Sequence, residues 1–393
     1  MGGLVEQDMR KTGAGTLASI VEALALSMLW QVAASAQVAA GTQAAASAQA
    51  AAGAQVAAGA QGAAGAQGVA GTQAAAGTQA AAGTQEQQSC WLRDGVSPAK
   101  SLVYLLCEQG GLMVTTDAGT TWSNRSTGAK GHLRNIEFSD ANHGFAVGDE
   151  GLLVATADGG KTWEPRKTGV TENLTAIQFV GQSGWVTGYD GLILHSADGG
   201  ATWAPQTTGT KESFENVFFL DAERGWAVGW AGMILRTTDG GKTWQQVRSD
   251  AAQWSLTSVY FRDANNGWSV GFSGQILRSR DGGATWTAQT SPLKSSLTSI
   301  LFDSSNRGWI TADESLLVSE DGGESWKNVD GVDNQLFLCQ LITVNGAPWA
   351  IGQLGVLRQT GPNSAWKKIE SLVPDDPLKD TYSDTLSAAS KPN

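Results

Sequence analysis

Thr237-Thr238-Asp239-Gly240-Gly241-Lys242-Thr243-Trp244 is the stretch on which the fold turns, because it does not occur once. Related octets run from Thr115 to Trp122, Thr156 to Trp163, Ser196 to Trp203, Ser279 to Trp286 and Ser319 to Trp326. A degenerate seventh copy, with Gly361-Pro362-Asn363 in place of Asp-Gly-Gly, ends at Trp366. The closing tryptophans stand at 122, 163, 203, 244, 286, 326 and 366, so the gaps are 41, 40, 41, 42, 40 and 40 residues. Self-similarity at a fixed period of this length marks a repeat architecture. Upstream of Thr237 come Val217-Phe218-Phe219, a turn, Gly225-Trp226-Ala227-Val228-Gly229, then Gly232-Met233-Ile234-Leu235-Arg236. Short β-rich runs punctuated by Gly, Asn and Asp read as four antiparallel strands per unit. Seven such units predict an all-β, seven-bladed propeller. Trp185, Trp226, Trp268, Trp309 and Trp349 share one second-strand position, which suits packing between blades.

The blade pattern occupies residues 89–370. Leu92-Arg93-Asp94 aligns with Leu133-Arg134-Asn135, so blade 1 is expected to supply its own inner strand, and blade 7 runs through Ile369. Composition agrees: 50 Gly and 16 Trp among 393 residues suit turns and radial aromatic packing, whereas 16% charged residues is low for a globular chain. The formal net charge of -11 argues against a nucleic-acid partner, which normally meets a basic face. Three cysteines exclude a disulfide-built scaffold and lack zinc-ligand spacing. Cys90 and Cys107 fall in blade 1 and Cys339 in blade 7, leaving the choice of any bonded pair open. No cofactor or metal is expected.

Residues 1–36 read as a signal peptide. Met9-Arg10-Lys11 precedes an apolar run from Leu17 to Val32, broken by Glu22 and followed by the small-x-small site Ala34-Ser35-Ala36. An uncleaved anchor is the alternative, disfavoured by the short run and its carboxylate. From Gln37 to Gln85 a glutamine recurs every sixth residue among Ala, Gly, Thr, Ser and Val. That period is neither helical nor strand-like, and residues 37–88 are expected to be a disordered linker. Residues 371–393 form a polar C-terminal tail. Export to the periplasm or beyond follows as an expectation.

Candidate sites divide by position in the repeat. Asp117, Asp158, Asp198, Asp239, Asp281 and Asp321 recur once per blade, so they are read as structural turn residues that accept backbone N–H bonds rather than as metal ligands or acids. The turns between second and third strands carry Tyr189, Trp230 and Phe272 on consecutive blades, and Trp254 lies in the next loop on that same face. Clustered exposed aromatics suit a protein or glycan contact, with loop packing as the bland alternative. Arg236, Arg278 and Arg358 share a third-strand position on blades 4, 5 and 7, with His195 on blade 3. They form either a basic arc for carboxylates or interblade pairs. Sialidase-type hydrolysis needs converging arginines and a Tyr nucleophile with acidic helpers. Only Arg93 and Arg134 start inner strands, and neither Tyr104, Tyr189, Tyr260 and Tyr382 nor His132, His143 and His195 form a partnered set. The chain is therefore read as non-catalytic.

The consensus Gly-Trp-x-Val-Gly, Gly-x-Ile-Leu-x-Ser/Thr and Asp-Gly-Gly-x-Thr-Trp resembles the photosystem II stability/assembly factor family, exported Asp-box (BNR-repeat) propellers related to sialidases. The resemblance spans roughly residues 90–370 and sets the chain apart from WD40 propellers, since no Trp-Asp pair ends a blade. It implies a monomeric scaffold that holds a membrane-protein subunit or complex on the periplasmic or lumenal side during assembly, photosystem II in a photosynthetic host. A sialidase-like glycan-binding module and a glycoside hydrolase are the alternatives.

Overall fold

The computed structural model describes residues 90–313, 315–332, 335–359 and 364–372. The expected signal peptide (1–36), the linker (37–88) and all of the tail beyond 372 lie outside the described residues. Seven four-stranded antiparallel sheets follow one another, each made of four consecutive strands. In blade 4 these are Phe214–Phe219, Gly225–Gly229, Ile234–Thr237 and Gln245–Gln246. The second strand is buried along its whole length, whereas the outer strand is exposed. Its continuous apolar run suits a sheet covered on both faces by neighbouring blades.

One contact set, repeated around the ring, joins the blades. Trp226 of blade 4 stacks on Phe261 of blade 5 with ring centroids 3.5 Å apart, and Trp286 meets Phe261 edge-on at 5.7 Å. Trp185, Phe219 and Trp244 repeat this at 3.5 and 5.8 Å. The indole Nε1 of Trp226 donates to Gly282 O at 3.0 Å. That approach explains the second glycine of the turn: at Gly283 the φ is +81° and a Cβ would lie 2.3 Å from Trp226 Nε1. The turn aspartate closes its own loop. Asp239 Oδ1 accepts from Thr243 N at 2.9 Å and Thr237 Oγ1 at 2.8 Å, and Oδ2 accepts from Thr243 Oγ1 at 2.6 Å. The Thr243 hydroxyl and amide hold its carboxyl at about 2, below the ordinary range. Asp117, Asp158, Asp198, Asp281 and Asp321 accept the same pair of bonds.

Blade 1 does supply its own inner strand, Leu92–Ala99, and among the described residues no strand is exchanged across the seam with blade 7. Side-by-side packing closes the ring. Leu92, Val103 and Leu105 bury against Trp349 and Ile351, while Arg358 Nη1 donates to Ala118 O at 2.6 Å and Ser371 Oγ to Gly119 O at 2.8 Å. Cys90 and Cys107 form a disulfide beside this seam, and Cys339 is free.

Candidate functional site: an aromatic platform at the channel mouth

The inner strands all break regular pairing at their second residue. The register shifts fall between Leu92 and Asp94, Leu133 and Asn135, Phe214 and Asn216, Leu256 and Ser258, Leu297 and Ser299, and Leu338 and Gln340, with the matching break in blade 3 opposite Thr187 and Gly188. A bulge of this kind re-aims one side chain. Where that residue is threonine, its hydroxyl laces the ring together. Thr175 Oγ1 donates to Phe214 O at 2.8 Å, Thr257 Oγ1 to Leu297 O at 2.7 Å and Thr298 Oγ1 to Leu338 O at 3.0 Å. In blade 7 the Cys339 thiol reaches Arg93 O at 3.4 Å. Blades 1, 2 and 4 carry Arg93, Arg134 and Glu215 there instead, placing charge at the mouth of the channel.

Those charges meet the aromatic turns. Arg134 Nε donates to Asp149 Oδ1 at 2.5 Å, and its guanidinium lies 5.5 Å from the Tyr189 ring. Tyr189 and Trp230 follow with centroids 5.7 Å apart, and Trp230 Nε1 donates to Glu215 Oε1 at 2.5 Å. Burial pushes the Glu215 carboxyl up, against the pull of Trp230, Arg134 and Arg93. Each turn presents its first residue because the second sits in the left-handed region, as at Ala231 (φ 53) and Ser273 (φ 57). Trp230 N and Phe272 N then bond to Ser213 O and Ser255 O, fixing the turns against the incoming loops. Trp254 is held by Gln275, whose Oε1 accepts from Gln253 N at 2.9 Å and Trp254 N at 3.3 Å.

Trp230, Trp254 and Phe272 are 46%, 44% and 48% exposed, so the three are not consumed by loop packing. Phe337, in the loop between blades 6 and 7, is also 48% exposed, away from the blades that carry these three rings. Its φ of 50 is unusual for a bulky residue, and its carbonyl accepts from Gln353 N at 3.2 Å. The repeat register passes over Phe337 because the blade pattern lapses just before it. Arg93, Arg134 and Glu215 were visible as departures from the threonine at that position, a signal legible only once the lacing role of the threonine is known.

The third-strand arginines lie elsewhere, inside the blade packing. Trp268 pairs with Arg278 across the strands, and the guanidinium sits 3.7 Å from the Trp268 ring with the residue 3% exposed. Burial lowers the Arg278 guanidinium to about 10. Arg358 pairs with Trp349 and spans the seam, and Arg236 pairs with Trp226 with its Nε buried. His195 stacks near Trp185 in the same way, at 5.2 Å. These side chains thus lie against the tryptophans of the second strands, within the blade packing. Tyr104 donates to Gly159 O at 2.7 Å and Tyr260 packs on Phe302 at 5.5 Å, leaving Tyr189 as the tyrosine at the platform among the described residues.

The fold and this site define a seven-bladed propeller distinguished by an exposed aromatic platform beside a charged channel mouth. The chain belongs to the Photosynthesis system II assembly factor YCF48 family, whose sequence profile matches residues 128–211, 203–289 and 249–337. A structure of YCF48 bound to D1 peptide aligns with a TM-score of 0.60 at 20% identity, covering 70% of this chain and 94% of that one. YCF48 from Cyanidioschyzon merolae aligns at 0.51 and 24% identity, over 63% and 85% of the two chains. A streptogramin B lyase aligns at 0.59 and 11% identity, over 68% and 92%, which shows the fold alone. Propeller architecture is thus shared by binders and an enzyme, and function has to be argued from the site. No curated protein matches the chain.

Proposed function

We propose that the chain is an exported, non-catalytic scaffold that holds an extended segment of a membrane-protein subunit while its complex is assembled. The observation that carries this reading is the platform itself: Tyr189, Trp230, Trp254 and Phe272 on adjoining loops, with large apolar rings left in solvent. Exposed aromatics of this density mark contact surfaces, and Trp and Tyr dominate binding hot spots. Arg93 and Arg134 beside them supply donors for a peptide's carbonyls or carboxylates. Membership of an assembly-factor family and the peptide held by the similar YCF48 structure support the same reading. The Cys90–Cys107 disulfide suits an oxidising compartment, as export requires. We read the chain as a monomer.

The D1 peptide is the first probe, titrated against the full chain by tryptophan fluorescence. Binding that weakens at least tenfold in Trp230→Ala/Trp254→Ala, a hot-spot loss of about 1.4 kcal/mol or more, is expected. Retention of full affinity in that variant moves the site off the platform. Binding of sialosides but not peptide favours the glycan alternative.

A further inference from the structure

The joint between blades 7 and 1 is held differently from the other six. In blades 2 to 7 the inner strand follows the outer strand of the blade before it, so the joining loop fixes where it starts. The inner strand of blade 1, Leu92–Ala99, receives no such loop from blade 7, whose outer strand is the last one described, Trp366–Lys368. Beyond its bulge this strand is well anchored. Asp94 Oδ2 accepts from Ile136 N of blade 2 at 2.9 Å, and Gly95 and Val96 pair with Leu105 and Tyr104. Ahead of the bulge, Leu92 pairs with Cys107, Leu92 N donates to Gln353 O of blade 7 at 3.2 Å, and Glu108 N donates to Trp91 O at 2.9 Å. The Cys90–Cys107 disulfide ties the chain covalently beside those few bonds. Cys339 closes over the same backbone from blade 7, its Sγ 3.4 Å from Arg93 O, 3.5 Å from Ile351 O and 3.9 Å from Leu92 O. All three cysteines pack on one apolar cluster with Leu92, Trp349 and Ile351.

We propose that the Cys90–Cys107 disulfide is a redox latch: it holds residues 90–93 in the ring seam, and its reduction frees them to swing away from blade 7 about the bulge at Asp94. A strand end with few backbone bonds opens at low cost unless it is tied down. A disulfide acts mainly by removing such open conformations. The releasing agent is a dithiol reductant. Its thiolate attacks Sγ of Cys90, the less buried of the two cysteines, and the S–S bond breaks with Cys107 leaving as a thiolate that takes up a proton. The second thiol of the reductant then displaces Cys90 from the mixed disulfide. Two electrons pass to the protein sulfurs, and the reductant ends as a disulfide. Arg93 leaves the channel mouth with the freed segment. On the peptide-scaffold reading, the platform thereby loses one of its two arginine donors; that consequence rests on the reading, whereas the latch does not.

Cys339 is the built-in reporter. Burial pushes its thiol up to about 12, so the thiolate that reagents attack is scarce while the seam is shut. Maleimide labelling of Cys339 in the full, oxidised chain, well below its Tm, is expected to be slow. It should run at least about tenfold faster in Cys90→Ser/Cys107→Ser, where Cys339 is the remaining thiol. The same rise is expected in the unmodified chain treated with dithiothreitol, with the label located on Cys339 by peptide mass. That arm keeps the test valid if the double variant fails to fold. Circular dichroism reports whether the propeller stays folded during labelling. Equal rates at Cys339 in the folded oxidised and reduced chains would overturn the latch, as would a rise that appears only with global unfolding. Neither arm uses a peptide, so the latch and the platform can each fail alone.

Discussion

At the scale of single residues, one amino-acid type does two jobs according to its neighbours. Arg134 stands in solvent reach at the channel mouth over Tyr189, whereas Arg278 lies flat on Trp268 inside the wall. Both are arginines at repeat positions, so spacing alone could not separate a ligand-facing guanidinium from a structural one. Their burial does. Arg278→Ala is therefore expected to cost about 2 kcal/mol of stability, through the cavity and the lost cation–π contact, and to leave peptide affinity within about twofold. A urea melt paired with the fluorescence titration measures both. A tenfold loss of affinity with unchanged stability would return Arg278 to the binding surface.

At the scale of elements, the second, buried strand was the most legible. Gly-Trp-Ala-Val-Gly has a continuous apolar character that only a strand covered on both faces tolerates. The inner strand was the least legible, because its bulge breaks the alternation that marks a half-buried strand, and its decisive residue follows the bulge rather than the period. Thr257 and Glu215 occupy equivalent places but point to different partners, a neighbouring carbonyl and Trp230. Thr257→Val keeps the shape and strips the hydroxyl, so it should cost about 1 kcal/mol, nearer 2 because the Leu297 carbonyl then loses a buried donor. Equilibrium unfolding of Thr257→Val beside Glu215→Gln separates the roles. The first is expected to lose stability, and equal losses in both would show that the bulge residue laces every blade.

At the scale of the whole molecule, the ring brings Asp94 and Glu137 together from different repeats, and this couples stability to pH. Burial pushes the Asp94 carboxyl up to about 6, and burial with the Asp94 charge pushes Glu137 to about 8. The other ionisable groups nearby are Tyr260, raised by burial, and the Cys339 thiol, pushed up to about 12 by burial. Both carboxyls bind protons more tightly folded than unfolded, so their contribution to stability is fully present below about pH 4 and is lost as pH rises toward 8. Glu137→Gln should flatten the upper half of that fall, from about pH 6 to 8, in thermal melts. A melt profile in which the variant and the parent coincide across that window would show that Glu137 is not buried as a charge.

The sequence by itself determined the blade count, the strand order and the structural nature of the six turn aspartates, because these depend on contacts that recur once per repeat and leave a period behind. It also singled out Trp230, Trp254 and Phe272, since those rings stand where the repeat does not require them. Only the tertiary structure decided which arginines lie in the blade packing, that Cys90 pairs with Cys107, and that two carboxylates line one cavity. Each of these rests on contacts within or between blades that occur once, and a contact made once has no period to be read from the chain.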